Sequence, residues 1–366
     1  MGRRESFLVF LFLFAVVNCS AQRDTSSVIY SLSGKVGYNS IWTGRGSLQQ
    51  FTQDHPWSVQ VDLGILKNTQ QAWNYCNCYS ENGLSLGYIN FGNPEKLGKA
   101  ITIAAFAEPY LILNKRFHLS LRGSAGLAFL NKVYDSISNK DAIFFSTTTS
   151  FILGLGMNFS WQLNQNWRFV TAAQFNHISN GGKKDPNEGM NFPGVTLGLT
   201  YTLSPTTLQT RARESNSNKS TSLVVHGFGG VRTAWADTKW PEERRLLIGA
   251  NVGLIRRLGK IIGVGIGGEY YYDGINEISQ QRSGQTIQTS VAGVSVQNYI
   301  FFGKLLLGQQ LAWYVTSNTG YQKNIYQRYI LEYEVKRNWY TGVTLKAHGD
   351  RSDYFAFSTG YFFKIN

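Results

Sequence analysis

Trp167-Arg-Phe-Val-Thr-Ala-Ala-Gln-Phe-Asn-His-Ile-Ser179 changes character at every step. Read at a period of two, one face carries Trp167, Phe169, Thr171, Ala173, Phe175, His177 and Ser179. The other carries Arg168, Val170, Ala172, Gln174, Asn176 and Ile178. Successive side chains of a strand point to opposite sides, so the stretch reads as a β-strand with one aromatic face. It is longer than the ~9–11 residues a tilted strand needs to cross a bilayer. The next segment repeats the pattern, with Val195, Leu197, Leu199, Tyr201 and Leu203 opposing Gly194, Thr196, Gly198, Thr200 and Thr202.

The same alternation extends in both directions. Before it lie Val28–Tyr38, Trp57–Leu66, Leu84–Phe91, Ala100–Leu113, Phe117–Leu130 and Phe144–Leu163. After it come Leu223–Thr233, Leu246–Leu258, Ile261–Tyr272, Ser290–Phe302, Lys304–Thr316, Tyr326–Val335, Trp339–His348 and Tyr354–Phe363. That makes about sixteen strands. A soluble sandwich also alternates, but aromatic residues at segment ends (Trp167, Trp339, Tyr201, Phe363) and an aromatic-rich last strand favour a membrane barrel. Mean hydropathy is only −0.20 while 14% of residues are aromatic and 38 are glycine, which suits a two-faced sheet better than helical membrane spans.

The fold expected is therefore all-β, an antiparallel transmembrane β-barrel. Its one long polar interruption is SPTTLQTRARESNSNKST, residues 204–221, which divides the segments eight and eight. A single barrel of about sixteen strands is favoured over two eight-stranded halves, because neither half shows a second signal or a proper linker. On this reading residues 22–203 form the first region, 204–222 a polar linker or long turn, and 223–366 further strands completing the barrel.

The N-terminus reads as a signal peptide over residues 1–21. Arg3 and Arg4 precede the apolar run Phe7–Val17, and Cys19-Ser20-Ala21 offers small residues for cleavage. A lipidated Cys19 is the rival reading, which Asn18 fits poorly. The formal charge of +13 draws attention to phosphorylated lipid headgroups; export and the lack of a DNA-reading motif argue against nucleic acid. Cys76 and Cys78 stand two apart, too few for a disulfide framework or an all-thiolate zinc site, and read as loop residues able to pair oxidatively.

Chemistry concentrates at the end of the opening stretch. His177 and Ser179 share a strand face, the minimum for acyl chemistry in which an imidazole takes the serine proton. Asn180, Gly181 and Gly182 follow with a side-chain amide and unshielded N–H groups, the donors an oxyanion needs. His-x-Ser alone arises often by chance. Here, however, the pair extends a face that points at lipid in a barrel, where polar groups are costly unless they lie at the interface and act there. By parity, residues 180–190 form an outer-surface loop. The other histidines, His55, His118, His226 and His348, show no metal-ligand spacing. Asp237, Glu242, Glu243, Glu269 and Asp273 read as solvated loop charges rather than a calcium site. No cofactor and no metal is expected.

His177-Ile178-Ser179-Asn180-Gly181-Gly182, with Pro186, Asn187 and Gly189 beyond, resembles the signature of the PagL-type lipid A 3-O-deacylases, also called acyloxyacyl hydrolases. The resemblance covers the first half of the mature chain, up to Leu203. It implies an outer-membrane esterase that removes an ester-linked acyl chain from the lipid A of lipopolysaccharide, with its site facing the outer leaflet. It implies His177 as general base, Ser179 as nucleophile, and Asn180 with Gly182 at the oxyanion. One departure matters: the family's histidine-orienting acid falls on Asn191, an amide with the outward parity of Val195. Asn191 can accept from the imidazole N–H, while Glu188 and Asp185 are acids in the adjoining loop. The competing expectation is a passive barrel, porin or scaffold, with a relic site. An empty charged lumen would favour the porin; a plugged lumen with an outward pair would favour the enzyme. Membrane lipids are the surroundings on either reading. The sequence does not indicate the oligomeric state, which acyl chain is removed, or the role of residues 223–366.

Overall fold

The computed structural model describes residues 28–366 apart from 204, 207, 209–210, 213–218, 237–238, 322–323, 350 and 366. The expected signal peptide, residues 1–21, lies outside the described residues, as do Asp237 and much of the 204–222 stretch.

Sixteen antiparallel strands form, and they close as two barrels rather than one. The first contains β1 (Val28–Asn39), β2 (Trp57–Lys67), β3 (Ser80–Asn90), β4 (Lys99–Leu113), β5 (Phe117–Leu130), β6 (Thr149–Gln162), β7 (Trp167–Ser179) and β8 (Met190–Thr202). The second contains β9 (Thr221–Ala234), β10 (Glu243–Arg257), β11 (Ile262–Asp273), β12 (Ser290–Phe302), β13 (Leu305–Tyr314), β14 (Ile325–Lys336), β15 (Trp339–His348) and β16 (Arg351–Ile365). Closure is made by β8 on β1, in register from Ser31 opposite Thr202 to Asn39 opposite Gly194, and by β16 on β9.

The single sixteen-stranded barrel is thus corrected, and the inward side chains give the reason. Eight strands enclose a bore that side chains can fill, whereas sixteen leave a channel. In the first bore Lys35 Nζ meets Asp62 at 2.9 Å, Arg122 reaches Asp62 at 3.0 Å and Glu108 at 3.2 Å, and Arg168 reaches Glu81 at 2.8 Å. These pairs join β1, β2, β4 and β5, and β3 with β7, which requires a narrow bore. The seam needs small residues too. A Cβ on Gly194 would stand 2.2 Å from Asn39 Oδ1, and one on Gly198 2.4 Å from the Gly34 carbonyl oxygen. The polar face of β8 is thin enough to let the inward side chains of β1 pass.

Outward faces are apolar. Leu32, Val36, Val61, Leu63, Leu86, Ile103, Leu155, Leu197 and Leu199 are all exposed on the first barrel; Ile248, Leu254, Ile266, Val294 and Phe357 are exposed on the second. A continuous exposed wall of this kind far exceeds the patches water-soluble chains tolerate, and matches the lipid-facing band of a membrane barrel. No helix among the described residues is long and apolar enough to cross a membrane.

The two ends of the first barrel differ. Three connections at one end are short or carry α1 (Gln70–Cys76), where Thr69 caps the helix and Cys76 and Cys78 form a disulfide. At the other end the links after β1, β3, β5 and β7 are mostly longer, and they pack into an apolar cap. Leu48, Phe51, Phe91, Leu97, Phe144, Phe145, Ile178, Met190 and Phe192 are its centre. This explains one boundary difference: Phe144 and Phe145, read as the start of a strand, fold inward, and β6 begins at Thr149.

Candidate active site

His177 and Ser179 end β7 on its outward face. The register sets Phe151 of β6 opposite Ser179, Leu153 of β6 opposite His177, and Asn191 of β8 opposite His177 on the other side. A directly opposed pair in neighbouring strands brings side chains to about 5 Å between Cβ atoms. Accordingly, His177 Nδ1 and Asn191 Oδ1 are 2.7 Å apart. The amide oxygen can only accept, so the ring proton sits on Nδ1 and Nε2 is left as a base. Asn191 itself is held by Trp42, whose N–H donates to the Asn191 carbonyl at 2.8 Å.

Gly189 fixes the distance between base and hydroxyl. It has φ +67°, and a Cβ there would stand 2.7 Å from His177 Cε1 and 3.3 Å from both His177 Nε2 and Ser179 Cβ. The imidazole and the serine therefore flank one backbone point that has no room for a side chain. Ser179 is 8% exposed, and its Oγ accepts from the Gly181 N–H at 3.4 Å. His177 and Ser179 are not directly hydrogen-bonded in this geometry, a looseness common in sites without substrate.

The turn 180–189 is braced from below. Asn180 is buried, and its amide donates to Ser146 Oγ at 3.0 Å and to the Lys184 carbonyl at 2.7 Å. Its Oδ1 accepts from Lys183 N–H at 3.0 Å, while its own N–H donates to Asn187 Oδ1 at 2.9 Å. Every donor of Asn180 is thus committed to the turn. Glu188 and Gly189 N–H groups donate to the carbonyls of Ile143 and Phe144, both at 3.1 Å, tying the turn to the apolar cap. Gly181 and Gly182 both have positive φ, +69° and +78°, which glycine adopts without penalty.

Of the residues singled out from sequence, His177, Ser179 and Asn191 come together with Gly181 and Gly189, while Gly182, next in the turn, packs against the Asp353 backbone. Glu188 does not join them: it pairs with Arg45. Phe151, Ser146 and Trp42 were missed, since they come from other strands and loops, and their role depends on register alone. Elsewhere, Glu269 and Asp273 are not solvated loop charges. Both are buried in the second bore, on Arg328 and Arg232. Among the described residues no group of three or more His, Cys, Asp or Glu converges as metal ligands would.

It is thus the outer wall of a closed barrel, not its bore, that gathers a serine, an imidazole and an amide. Residues 51–200 match the family model of the lipid A 3-O-deacylases (PagL), and residues 221–365 match that of the acyloxyacyl hydrolase C-terminal domain. The two matches fall on the two barrels and together span most of the chain, which belongs to this family. No curated protein matches the chain by sequence. Solved structures are similar only loosely. The β domain of the Bordetella autotransporter BrkA is 8% identical, covering 93% of this chain and 100% of that one at a TM-score of 0.27. A porin of Rh. blastica is 8% identical over 92% and 100%, TM-score 0.20. The Pseudomonas putida toluene transporter TodX is 9% identical over 94% and 90%, TM-score 0.19.

Proposed function

We propose that the protein is an outer-membrane esterase that removes an ester-linked acyl chain from lipid A, with Ser179 as nucleophile. The observation that carries this reading is the His177–Asn191 contact on the lipid-facing wall, which leaves Nε2 beside Ser179. As Ser179 Oγ bonds to the ester carbonyl carbon, its proton passes to His177 Nε2. The sugar oxygen then leaves with that proton, and an acyl-serine remains. Water attacks this ester with His177 again as base, releasing the fatty acid and restoring the hydroxyl. Asn191 holds the ring in the useful tautomer. The Gly181 N–H, already directed at Ser179 Oγ, and the neighbouring Gly182 N–H are the donors nearest the developing oxyanion; each such donor is worth about 10²–10³ in rate. Asn180 serves as brace of the turn rather than as donor. The scheme asks for no metal ion or cofactor.

The mostly longer loops at this end support placement at the outer leaflet, where lipopolysaccharide lies. Both bores are packed with paired side chains, which speaks against the passive-porin alternative. The test is lipid A mass spectrometry on cells carrying wild type, Ser179→Ala or His177→Ala. Either substitution should cut release of hydroxy fatty acid by on the order of 10⁶-fold, because such residues act as one unit. The barrel should still show its normal heat-dependent gel mobility. Unaltered lipid A with folded wild type would end the esterase reading.

A further inference from the structure

The first barrel does not present its site alone. Phe355, outward on β16 of the second barrel, stacks on Phe151 with ring centroids 5.4 Å apart and planes at 20°. Phe151 is the residue directly opposite Ser179. A Cβ on Gly181 would stand 3.4 Å from the Phe151 ring and 4.0 Å from Phe355 Cβ; one on Gly182 would stand 3.0 Å from the Asp353 carbonyl oxygen. The glycine turn therefore fits between β7 and the second barrel, with no space to spare.

That second wall is stiff. The Asp353 side chain points into its own bore and is held by Arg232 at 2.8 Å, Lys346 at 2.8 Å and the Tyr321 hydroxyl at 2.6 Å. Its backbone, facing Gly182, is fixed by those three contacts. On the opposite flank of the site nothing comparable closes the wall among the described residues: Trp42 is exposed and meets Phe175 edge-on at 6.3 Å. Past Phe355, the next outward residue of β16 is Phe357, which is exposed.

We propose that the second barrel is the far wall of the acyl-chain groove, with Phe355 a specificity-determining residue for the ester cleaved at Ser179. The proposal rests on the esterase reading. The Phe151–Phe355 stack closes the β6 side of the serine, so the acyl chain lies toward Trp42 and Phe175. Chains branched by a secondary acyl group near the carbonyl collide with the stack. This gives residues 221–365 a task that a complete first barrel would otherwise leave open.

The experiment uses the full-length protein in detergent with purified lipopolysaccharide of mixed acyl pattern, together with a series of alkyl phosphonates that label reactive serines. Phe355→Ala, Phe355→Leu and Phe357→Ala are compared with wild type, each checked for folding by heat-dependent mobility. Phe355→Ala is expected to shift the ratio of branched to unbranched product and label by about tenfold, the scale of a methylene-sized change in an apolar pocket. Phe355→Leu should return most of the wild-type preference, and Phe357→Ala should keep it. An active wild type with a folded Phe355→Ala of unchanged preference overturns the proposal alone, as does a uniform slowing on every chain. A folded wild type that releases no fatty acid and takes no label removes the esterase reading, and this proposal with it.

Discussion

Asn191 is the residue where the site departs from its family's pattern, and its geometry defines what the departure costs. Its Oδ1 holds His177 Nδ1 at 2.7 Å, so orientation and tautomer are secured without charge. On the proposed mechanism, what an amide lacks is attraction for the imidazolium formed as Ser179 gives up its proton. In a serine protease the acid-to-amide change lowers rate by about 10⁴, largely because the amide there selects the wrong tautomer. Here the tautomer is right, so only the charge is missing. Asn191→Asp should therefore keep or raise deacylation, with that factor as a ceiling, measured as fatty acid released per minute by folded protein. Glu188→Gln should change the rate little, since Glu188 is engaged by Arg45. If Glu188→Gln silences the folded protein and Asn191→Asp does nothing, the acid role belongs to the loop. His177 and Ser179 share a strand face by parity alone, whereas Asn191 is picked out by the family resemblance, its outward parity only agreeing with it. Gly189 was legible as part of a motif but not as the spacer between base and hydroxyl, which takes a register to see.

At the scale of elements, the site depends on the turn 180–189 as much as on β7 and β8. Asn180 was read from sequence as an oxyanion donor, from its place after Ser179 and beside two glycines. Its amide instead binds the Lys184 carbonyl within the turn and Ser146 across from it, the latter in a loop that period-two reading merges into a strand. Period-two alternation finds strands well; it carries no information on where a side chain beyond the strand end turns. Phe144 and Phe145 show the same limit, because an apolar pair looks alike in a strand and in a cap. Asn180→Ala removes three side-chain hydrogen bonds and leaves buried partners unpaired, at about 1–3 kcal/mol for each group so stranded. We expect the barrel to assemble, deacylation to fall about tenfold or more, and trypsin to cut at the exposed Lys183 and Lys184 much faster than in wild type. Unchanged cleavage and rate would mean that the cap alone holds the turn.

The whole molecule poses the question that alternation could not answer: sixteen strands close equally well on paper as one ring or two. The polar stretch 204–221 marked the dividing point, but closure is decided by backbone pairing of β8 with β1, and pairing leaves no periodic trace. The trace it does leave is in the inward residues, as oppositely charged side chains far apart in sequence: Lys35 with Asp62, Arg122 with Glu108, Arg168 with Glu81. Between them a cavity of only about 10 Å³ remains, about the least that accommodates one water molecule. In the second bore Arg328 binds Glu269 at 2.8 Å and is 1% exposed, and His226 meets Glu332 at 3.1 Å. An ion crossing either barrel would have to break pairs whose separation leaves buried charge, at about 3–5 kcal/mol each. Full-length protein reconstituted in planar bilayers should therefore give no sustained conductance steps, under conditions where the same preparation releases fatty acid from lipopolysaccharide. Ser179→Ala should be equally silent electrically, since Ser179 lies on the wall. Steady openings in both proteins would restore a water path through the bore, and with it the passive barrel.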